Sequence, residues 1–578
     1  MSHSPRDRSI AITGMSGRFP GAGSVEELWR ILDEQRDAVT DYTEAELLAA
    51  GAAPDLVRRP EHVASGAHLA GVGLFDAAFF GCTDREADTT DPQQRILLEI
   101  CHEALEQSGH GPGTFDGRTG VFTGHRRSDY EALLGGTPGG SDRPAAPGDR
   151  QPGGRADPAA RIARRLGCTG PAVTLPDDGP ASLAAVHLAC RRLLDGDCDM
   201  ALAGGVALRL PQHTGYLCPE GSGLARSGRC RPFDADGDGV LLGDGAAVVV
   251  LRRLADALAD GDQILAVIRG SAVTGEDPAA RRAPAAGHLG GRVRAVREAL
   301  AAAGLEATDL SYVEAHGAGT PLGDPTEFSI LTEAFATGRR GICALGSVKA
   351  NVGHLDTAAG VTGLIKTVLS LHHRTLPGTP HFRRPHPRLD LVNSPFYIAA
   401  EAQPWQPGQR RRIAGVNALG RDGTHAHVIV EEPPKTPDPP GRGPRQHLFV
   451  WSAHSAAALE TATTDLRRYL EDHADTEPAD VAFTLQNGRR AHRHRRAVLA
   501  DSCAAAARAI RARRWLTAPP AALPPALREP ATAWLRGAAA DWTSVYAGES
   551  RRRLRLPTHP MRRRHHWPAR TGTAPGTP

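Results

Sequence analysis

Two short glycine-rich segments carry the side chains best suited to chemistry. His316 lies in EAHGAGT, and Lys349 and His354 share GSVKANVGH. Two imidazoles and an ammonium are hydrogen-bond donors of the kind that hold an oxygen as it gains negative charge. By residue type alone the set is weak, because histidines and lysines in loops also serve as satisfied polar groups. The segment DADGDG (234–239) begins like a calcium-binding loop. Its twelfth position falls on Gly245, so the bidentate carboxylate is missing and no metal site is expected. The nine cysteines (82, 101, 168, 190, 198, 218, 230, 343 and 503) are scattered, with no C-x-x-C pair. That spacing argues against a zinc site or a disulfide framework and fits buried thiols in a reducing cytoplasm.

These segments need elements to position them. Apolar runs bounded by glycine read as strands at Ile10–Thr13, Gly120–Thr123, Ala172–Leu175, Met200–Gly204 and Ala246–Leu251. A second set follows at Ile264–Ile268, Leu310–Glu314, Cys343–Val348, Ile413–Val416 and His427–Val430. Helical patterns lie between them, at Pro92–Gln107, Pro180–Leu194, Gly291–Ala303 and Thr357–His373. Alternation of this kind predicts an α/β fold with mostly parallel, buried strands, and the two similar halves suggest an internal duplication.

The chain has 578 residues, enough for two or three units. A long first unit is expected over 1–434, followed by a Pro-rich connector at 435–446, EEPPKTPDPPGRGPRQ spanning the junction. A small αβ domain is expected over 447–520, a further linker over 521–568, and a disordered tail at 569–578. The net charge is +3, too small for a nucleic-acid surface; the basic run Arg551–His566 reads as a solvated or packed linker. The first residues, MSHSPRDRS, are polar and give no signal peptide, and no stretch approaches the roughly 20 apolar residues of a membrane span. A cytoplasmic protein with neither nucleic-acid nor membrane partners is the expectation.

Several ordered segments resemble the β-ketoacyl synthase family, specifically the ketosynthase domains of modular type I polyketide synthases. They are DPQQRILLE (91–99), GPAVT with SLAAVHLAC (170–190), GRCRPFDADGDG (228–239), VEAHGAGTPLGDPTE (313–327) and GSVKANVGH (346–354). The resemblance covers about 8–432. It implies a thiolase-like fold of five layers, α/β/α/β/α, and a dimer, either a homodimer or a heterodimer with an active ketosynthase. Residues 447–517 resemble the linker domain that joins ketosynthase to acyltransferase. The stretch WLRGAAADWTSVYAG onward (534–568) resembles the linker that follows an acyltransferase and wraps back. No G-x-S-x-G elbow lies between them, the arrangement of acyltransferase-less assembly lines. GYLCPEGSG (215–223) and the insertion near Ala49–His68 are reminiscent of the same clade.

In that family a cysteine at the start of a buried helix accepts the acyl chain from the phosphopantetheine arm of an acyl carrier protein. The matching segment here is LPDDGPASL (175–183), which puts Gly179 at the nucleophile position. Gly179 and Pro180 are expected as N-cap and first helical residue. Asp177 and Asp178 read as helix-dipole compensation, or else as a general base or acyl-accepting carboxylate. Cys168, Cys190, Cys218 and Cys230 are expected to be structural. By resemblance His316 and His354 are the pair that donate to the malonyl thioester oxygen. Lys349 is expected to organise His354 and a carboxylate whose place Asp356 takes. The pocket for the arm is expected to include Thr320 and Ala318, where the family has two threonines, and Leu419, where it has a gating phenylalanine. Arg421, Asp422 and His425 add polar bulk to that loop. No bound cofactor is expected beyond the carrier's arm.

Three functions fit. The first is a non-elongating ketosynthase homologue acting as a partner, scaffold or carrier-docking subunit. The second is decarboxylation of malonyl-carrier protein by His316, His354 and Lys349. The third is a new reaction on a carrier-bound chain at Asp177 or Asp178.

Overall fold

The computed structural model describes residues 8–134, 157–176, 179–276, 290–407, 411–420, 423–435, 446–520, 523–546 and 549–568. Asp177, Asp178, Arg421 and Asp422 lie outside these residues, as do the tail 569–578 and most of the Pro-rich connector.

Eleven strands form one hydrogen-bonded sheet whose order repeats. In the first half the strands, in chain order, are Ile10–Arg18, Thr119–His125, Ala172–Leu175, Met200–Ala207 and Gly245–Arg253. Across the sheet they run third, second, fourth, fifth, first. The second half uses Ala266–Gly275, Tyr312–Glu314, Cys343–Gly346, Ile413–Leu419 and Thr424–Glu431. These run in the same order, with Phe396–Ile398 added outside the third. The two first strands pair with each other, Ile10 opposite Ile268 and Ile12 opposite Ala266. The duplication suggested by the apolar runs is thus present in the topology, and each of the ten expected runs became one of the ten repeated strands.

The expectation of a mostly parallel sheet needs correction. Within each half the second strand pairs in parallel with the third and fourth, because helical crossovers join them. The fifth strand runs antiparallel to both the fourth and the first. In the second half the reason is visible in the chain: only residues 420–423 separate the fourth strand from the fifth, which permits a hairpin and no crossover.

Each half-sheet is covered on both faces, which gives five layers. The helices Ala181–Leu194 and Ala359–His373 form the middle layer, with Leu183, Val186, Leu364, Ile365 and Val368 in one core. Along Gly245–Arg253, Val249 and Leu251 face that core. Val248 and Val250 face the outer helices Pro92–Gln107 and Pro158–Leu166, the two-residue period of a strand buried on both sides. The helices Gly290–Ala303 and Gly323–Phe335 cover the other outer face with Val296, Leu300, Phe328 and Leu331. The two central helices meet at their starts. A Cβ at Gly360 would stand 2.8 Å from the Leu183 Cβ, so only glycine allows that approach. Ser182 Oγ accepts the Val361 N–H at 3.1 Å across the same contact.

Beyond the connector, the strands His447–Ala453 and His494–Ala500 pair antiparallel. They pack with the helices Ala456–Asp472, Pro478–Asn487 and Cys503–Arg511 around Leu448, Val450, Leu466 and Val498. The helix Pro525–Leu535 shares that core through Leu527 and Trp534. The basic run then lies back across the first half. Arg563 donates to Glu99 at 2.7 Å, the Arg562 N–H to Asp76 at 2.6 Å and the His559 N–H to Glu106 at 2.6 Å. Arg95 donates to the His566 carbonyl at 2.8 Å. Arg551, Arg552, Arg553, Arg555 and Arg563 of the basic run each pair with a carboxylate of this same chain. Among the described residues no helix is long and apolar enough to cross a membrane.

Candidate active site

The histidine at 316 sits in a loop built around two buried carboxylates. Helix Gly323–Phe335 begins with Asp324 and Glu327, both under 4 % exposed. Asp324 accepts backbone N–H groups of Phe233 at 2.8 Å, Ala318 at 3.2 Å, Gly319 at 3.1 Å and Thr320 at 3.3 Å. Glu327 accepts the His316 and Gly317 N–H groups, both at 2.7 Å, and the Asn417 side chain at 2.6 Å. Such donors have no partner in a regular element, so the carboxylates fix the loop's shape. The acidic pair of GDPTE was the sequence signal for this role: two acids three apart at a helix start, one turn below a glycine-rich loop.

Several segments converge on one cavity of about 520 Å³. Its wall includes Gly179, His316, Ala318, Thr320, His354 and Leu419, so six of the expected site residues meet there. The His316 and His354 rings stand 5.2 Å apart, edge to face. His354 is fixed by its backbone: its N–H donates to the Leu241 carbonyl at 2.7 Å and its carbonyl accepts the Gly243 N–H at 2.9 Å.

Both rings have their tautomer set by a backbone donor. The Asp356 N–H donates to His354 Nδ1 at 3.0 Å, and the Leu419 N–H to His316 Nδ1 at 3.4 Å. A backbone N–H cannot accept, so each Nδ1 carries no proton and each ring's own proton sits on Nε2. Burial, with the Lys349 ammonium and His354 adding to it, holds His316 well below the usual imidazole range. It is therefore a neutral N–H donor at neutral pH.

Lys349 is buried beside the first histidine. Its ammonium donates to the His316 carbonyl oxygen at 2.5 Å, so it secures the first histidine. Burial pushes its pKa down, against the pull of Glu314 and Glu327. Asp356 does not meet that lysine; its carboxylate pairs with Arg209 at 2.5 Å. Lys366, buried in the central helix, takes Glu314 at 2.9 Å. The Thr320 hydroxyl accepts the Gly323 N–H at 3.0 Å, which ties it to the loop it caps.

The helix after Gly179 begins one residue later than expected. Pro180 is the N-cap (φ −82°, ψ 3°), and its carbonyl accepts the Leu183 and Ala184 N–H groups, each at 2.9 Å. Proline fits there because the cap's own N–H is not needed by the helix. Among the described residues no cysteine lines the cavity. Cys190 lies in the central core and Cys168 beside the outer helices, and burial pushes both thiols up to about 12. Arg209 and Arg292 also line the cavity; nothing in their local sequence marked them. His425, opposite Leu419 on the next strand, is buried 3.4 Å from Glu276, which Arg292 also meets at 3.1 Å.

Comparison with known proteins places this fold in a family of condensing enzymes. Residues 7–257 match the beta-ketoacyl synthase N-terminal domain and 265–383 the beta-ketoacyl synthase C-terminal domain. Residues 447–510 match the family described as CurL-like, PKS C-terminal. The chain belongs to the β-ketoacyl synthase family, as a ketosynthase domain of the modular type I polyketide synthases. Over 84 % of its length it is 40 % identical to a component of the phenolphthiocerol/phthiocerol polyketide synthase of Mycobacterium tuberculosis, covering 33 % of that protein. It is 39 % identical over 85 % of its length to erythronolide synthase of Saccharopolyspora erythraea, covering 14 % of it. The chain thus spans a third or less of these curated relatives. Among solved structures, ketosynthase twelve of the bacillaene polyketide synthase of Bacillus amyloliquefaciens matches with a TM-score of 0.84. The identity is 30 %, over 97 % of this chain and 100 % of that one. An oxazolomycin ketosynthase domain of Streptomyces albus matches with a TM-score of 0.79 at 33 % identity, over 97 % and 98 % of the two chains.

Proposed function

We propose that this chain is a non-elongating ketosynthase homologue of polyketide biosynthesis, which receives a carrier-bound chain without taking it onto itself. The observation that carries this reading is Gly179 in the same cavity as His316 and His354, with no cysteine on the described wall. Condensation by this family needs a covalent acyl-enzyme, and glycine supplies no nucleophile. The cavity volume lies in the range of small-molecule sites, roughly 300–1,000 Å³, so room for the phosphopantetheine arm of an acyl carrier protein remains. The chain would act as a partner or scaffold: a carrier-docking subunit, as a homodimer or paired with an active ketosynthase. The acyltransferase-less arrangement belongs to this proposal, supported by the helix Pro525–Leu535 sharing one core with 447–510. Titration with holo-carrier protein tests the reading. Saturable binding that needs the phosphopantetheine arm is expected; equal binding of the apo-carrier, or none, contradicts it.

A second reading, decarboxylation of malonyl-carrier protein, is favoured by two facing imidazoles whose Nδ1 atoms each accept a backbone N–H, which leaves Nε2–H as the donor. Those N–H groups would hold the thioester oxygen. The bond from Cα to the carboxylate then breaks, its electron pair forms the thioester enolate, CO2 leaves, and Cα takes a proton from water. Lys349 contributes by fixing His316. On this reading His316→Ala lowers the rate of CO2 release by about 10²- to 10³-fold, the cost of removing one such donor. CO2 release that is absent, or indifferent to His316, excludes it.

A further inference from the structure

Asp356 stands apart on the cavity wall. Among the described non-glycine residues lining the cavity it alone has a positive φ, 51°. That left-handed conformation brings Cβ close to backbone oxygen, and although aspartate tolerates it better than most residues, it persists only where the surroundings enforce it. The local sequence LDTA supplies no glycine to relieve it.

The Asp356 carboxylate is held by an arginine from the other half of the fold. Arg209 Nη2 donates to Asp356 Oδ2 at 2.5 Å, and Arg126 Nε stands 3.8 Å from the same oxygen. Arg209 is itself held at two more points. Its Nη1 donates to the Gly243 carbonyl at 2.7 Å, and its backbone N–H to Asp244 Oδ1 at 2.9 Å. Asp244 is fully buried, and its other oxygen is fixed by Gln212 at 2.8 Å and His68 at 2.7 Å. The guanidinium therefore bridges a fixed carbonyl and the Asp356 carboxylate with two of its five donors, a fork a lysine ammonium does not reproduce. The strained backbone has one visible consequence: its N–H points at His354 Nδ1 from 3.0 Å.

We propose that Arg209 is a positioning residue for His354: it clamps Asp356 in the left-handed conformation, and so keeps Nδ1 of the ring an acceptor and Nε2 its N–H. The clamp explains why an arginine faces the cavity and gives Asp356 a task other than the lysine partnership expected of it. It holds whichever reading of the cavity is right, because it concerns the ring and no reaction.

The test is the 15N spectrum of histidine-labelled full-length protein, with the His354 signals assigned from a His354→Gln variant. The wild type is expected to show a single Nε2–H tautomer at His354. Arg209→Ala is expected to give a mixture of the two tautomers. Arg209→Lys keeps the charge but not the fork; it gives the same mixture in milder form, and serves if the alanine variant does not fold. In the double variant Arg209→Ala, Asp356→Gly, glycine adopts the left-handed conformation without a clamp, so the single tautomer returns. An unchanged ring in both Arg209 variants overturns the proposal, and so does a double variant as mixed as Arg209→Ala. Carrier titration is not used, so failure of the proposed function and failure of the clamp are told apart.

Discussion

Gly179→Cys should turn a chain that carries no acyl group into one that does. Among the described residues a Cβ at position 179 would meet only the Leu419 carbonyl oxygen, at 3.5 Å, an ordinary contact. The backbone thus leaves room for the side chain. A thiol there sits just before the helix Ala181–Leu194, in the cavity that holds His316 and His354. The helix N-terminus favours the thiolate. A shift from the free value near 8.5 to about 7 raises the thiolate fraction at pH 7 by roughly fifteenfold, and alkylation speeds up in near proportion. Iodoacetamide should label residue 179 of the variant roughly fifteen times faster than a free cysteine at pH 7, and an acyl thioester should leave an acyl group on it. Cys101, Cys190 and Cys343 do not compete, since they are buried and burial disfavours their thiolates; the partly buried Cys82 and Cys168 set the wild-type background. A folded variant that labels no faster than wild type would mean that the site around 179 is no longer that of an acyl-accepting thiol.

Mild acid should cost the folded chain several kcal/mol. Burial holds His102 and His427 down to about 3, and His492 and His559 down to about 4. All four lie below the unfolded value of roughly 6.5, so as the pH falls the unfolded chain takes up protons first. Stability is therefore full above about pH 6.5 and declines below it, until the pH reaches the folded values. At pH 5 each ring contributes a loss of about 2 kcal/mol, against a total stability of about 5–15 kcal/mol. Three of the rings crowd one junction. Phe79 lies 4.9 Å from His102, 5.6 Å from His492 and 4.4 Å from His559, with His454 at 6.1 Å. His102 comes from an outer helix of the ketosynthase fold, His492 from the small αβ unit and His559 from the returning segment. Arg490 adds positive charge beside His102 and His492, and Glu106 and Asp76 face His559. Proton uptake there puts like charges into one apolar contact, so the docking of these pieces should loosen first. Urea midpoints at pH 7.5, 6.5, 5.5 and 5.0 check this: a steady fall below 6.5 is expected. A flat profile down to pH 5.5 would show that these rings are hydrated or already charged.

The sequence carried the framework well because its signals were local. Runs such as Met200–Gly204 and Ala246–Leu251, apolar and bounded by glycine, can only be buried strands, and their repetition foretold the repeated topology. The glycine-rich segments bring His316 and His354 to one cavity because strand and helix on either side fix where such loops emerge. Strand direction was less legible. A hairpin at 420–423 and a crossover helix leave similar apolar runs behind them, so the antiparallel fifth strands were missed. The partners of buried charges were illegible for a different reason. Arg209 and Asp356 are 147 residues apart, and nothing near either one names the other. The bond from Lys349 to the first histidine was illegible on the same ground, since its ammonium reaches across the fold to a carbonyl of His316. The imidazole cluster of His102, His492 and His559 comes from three separate pieces and was invisible until they were docked.

The central claim is that this cavity admits a carrier-bound chain but does not take it onto the protein. The most direct measurement is intact mass spectrometry of the chain and of an acyl carrier protein loaded with a saturated acyl group, which no decarboxylation can alter. Gly179→Cys is the positive control. Wild type should bind the loaded carrier and leave both masses unchanged, while the variant gains the acyl group that its carrier loses. An acyl adduct on the wild-type chain would contradict the claim and send attention to whichever residue carries it.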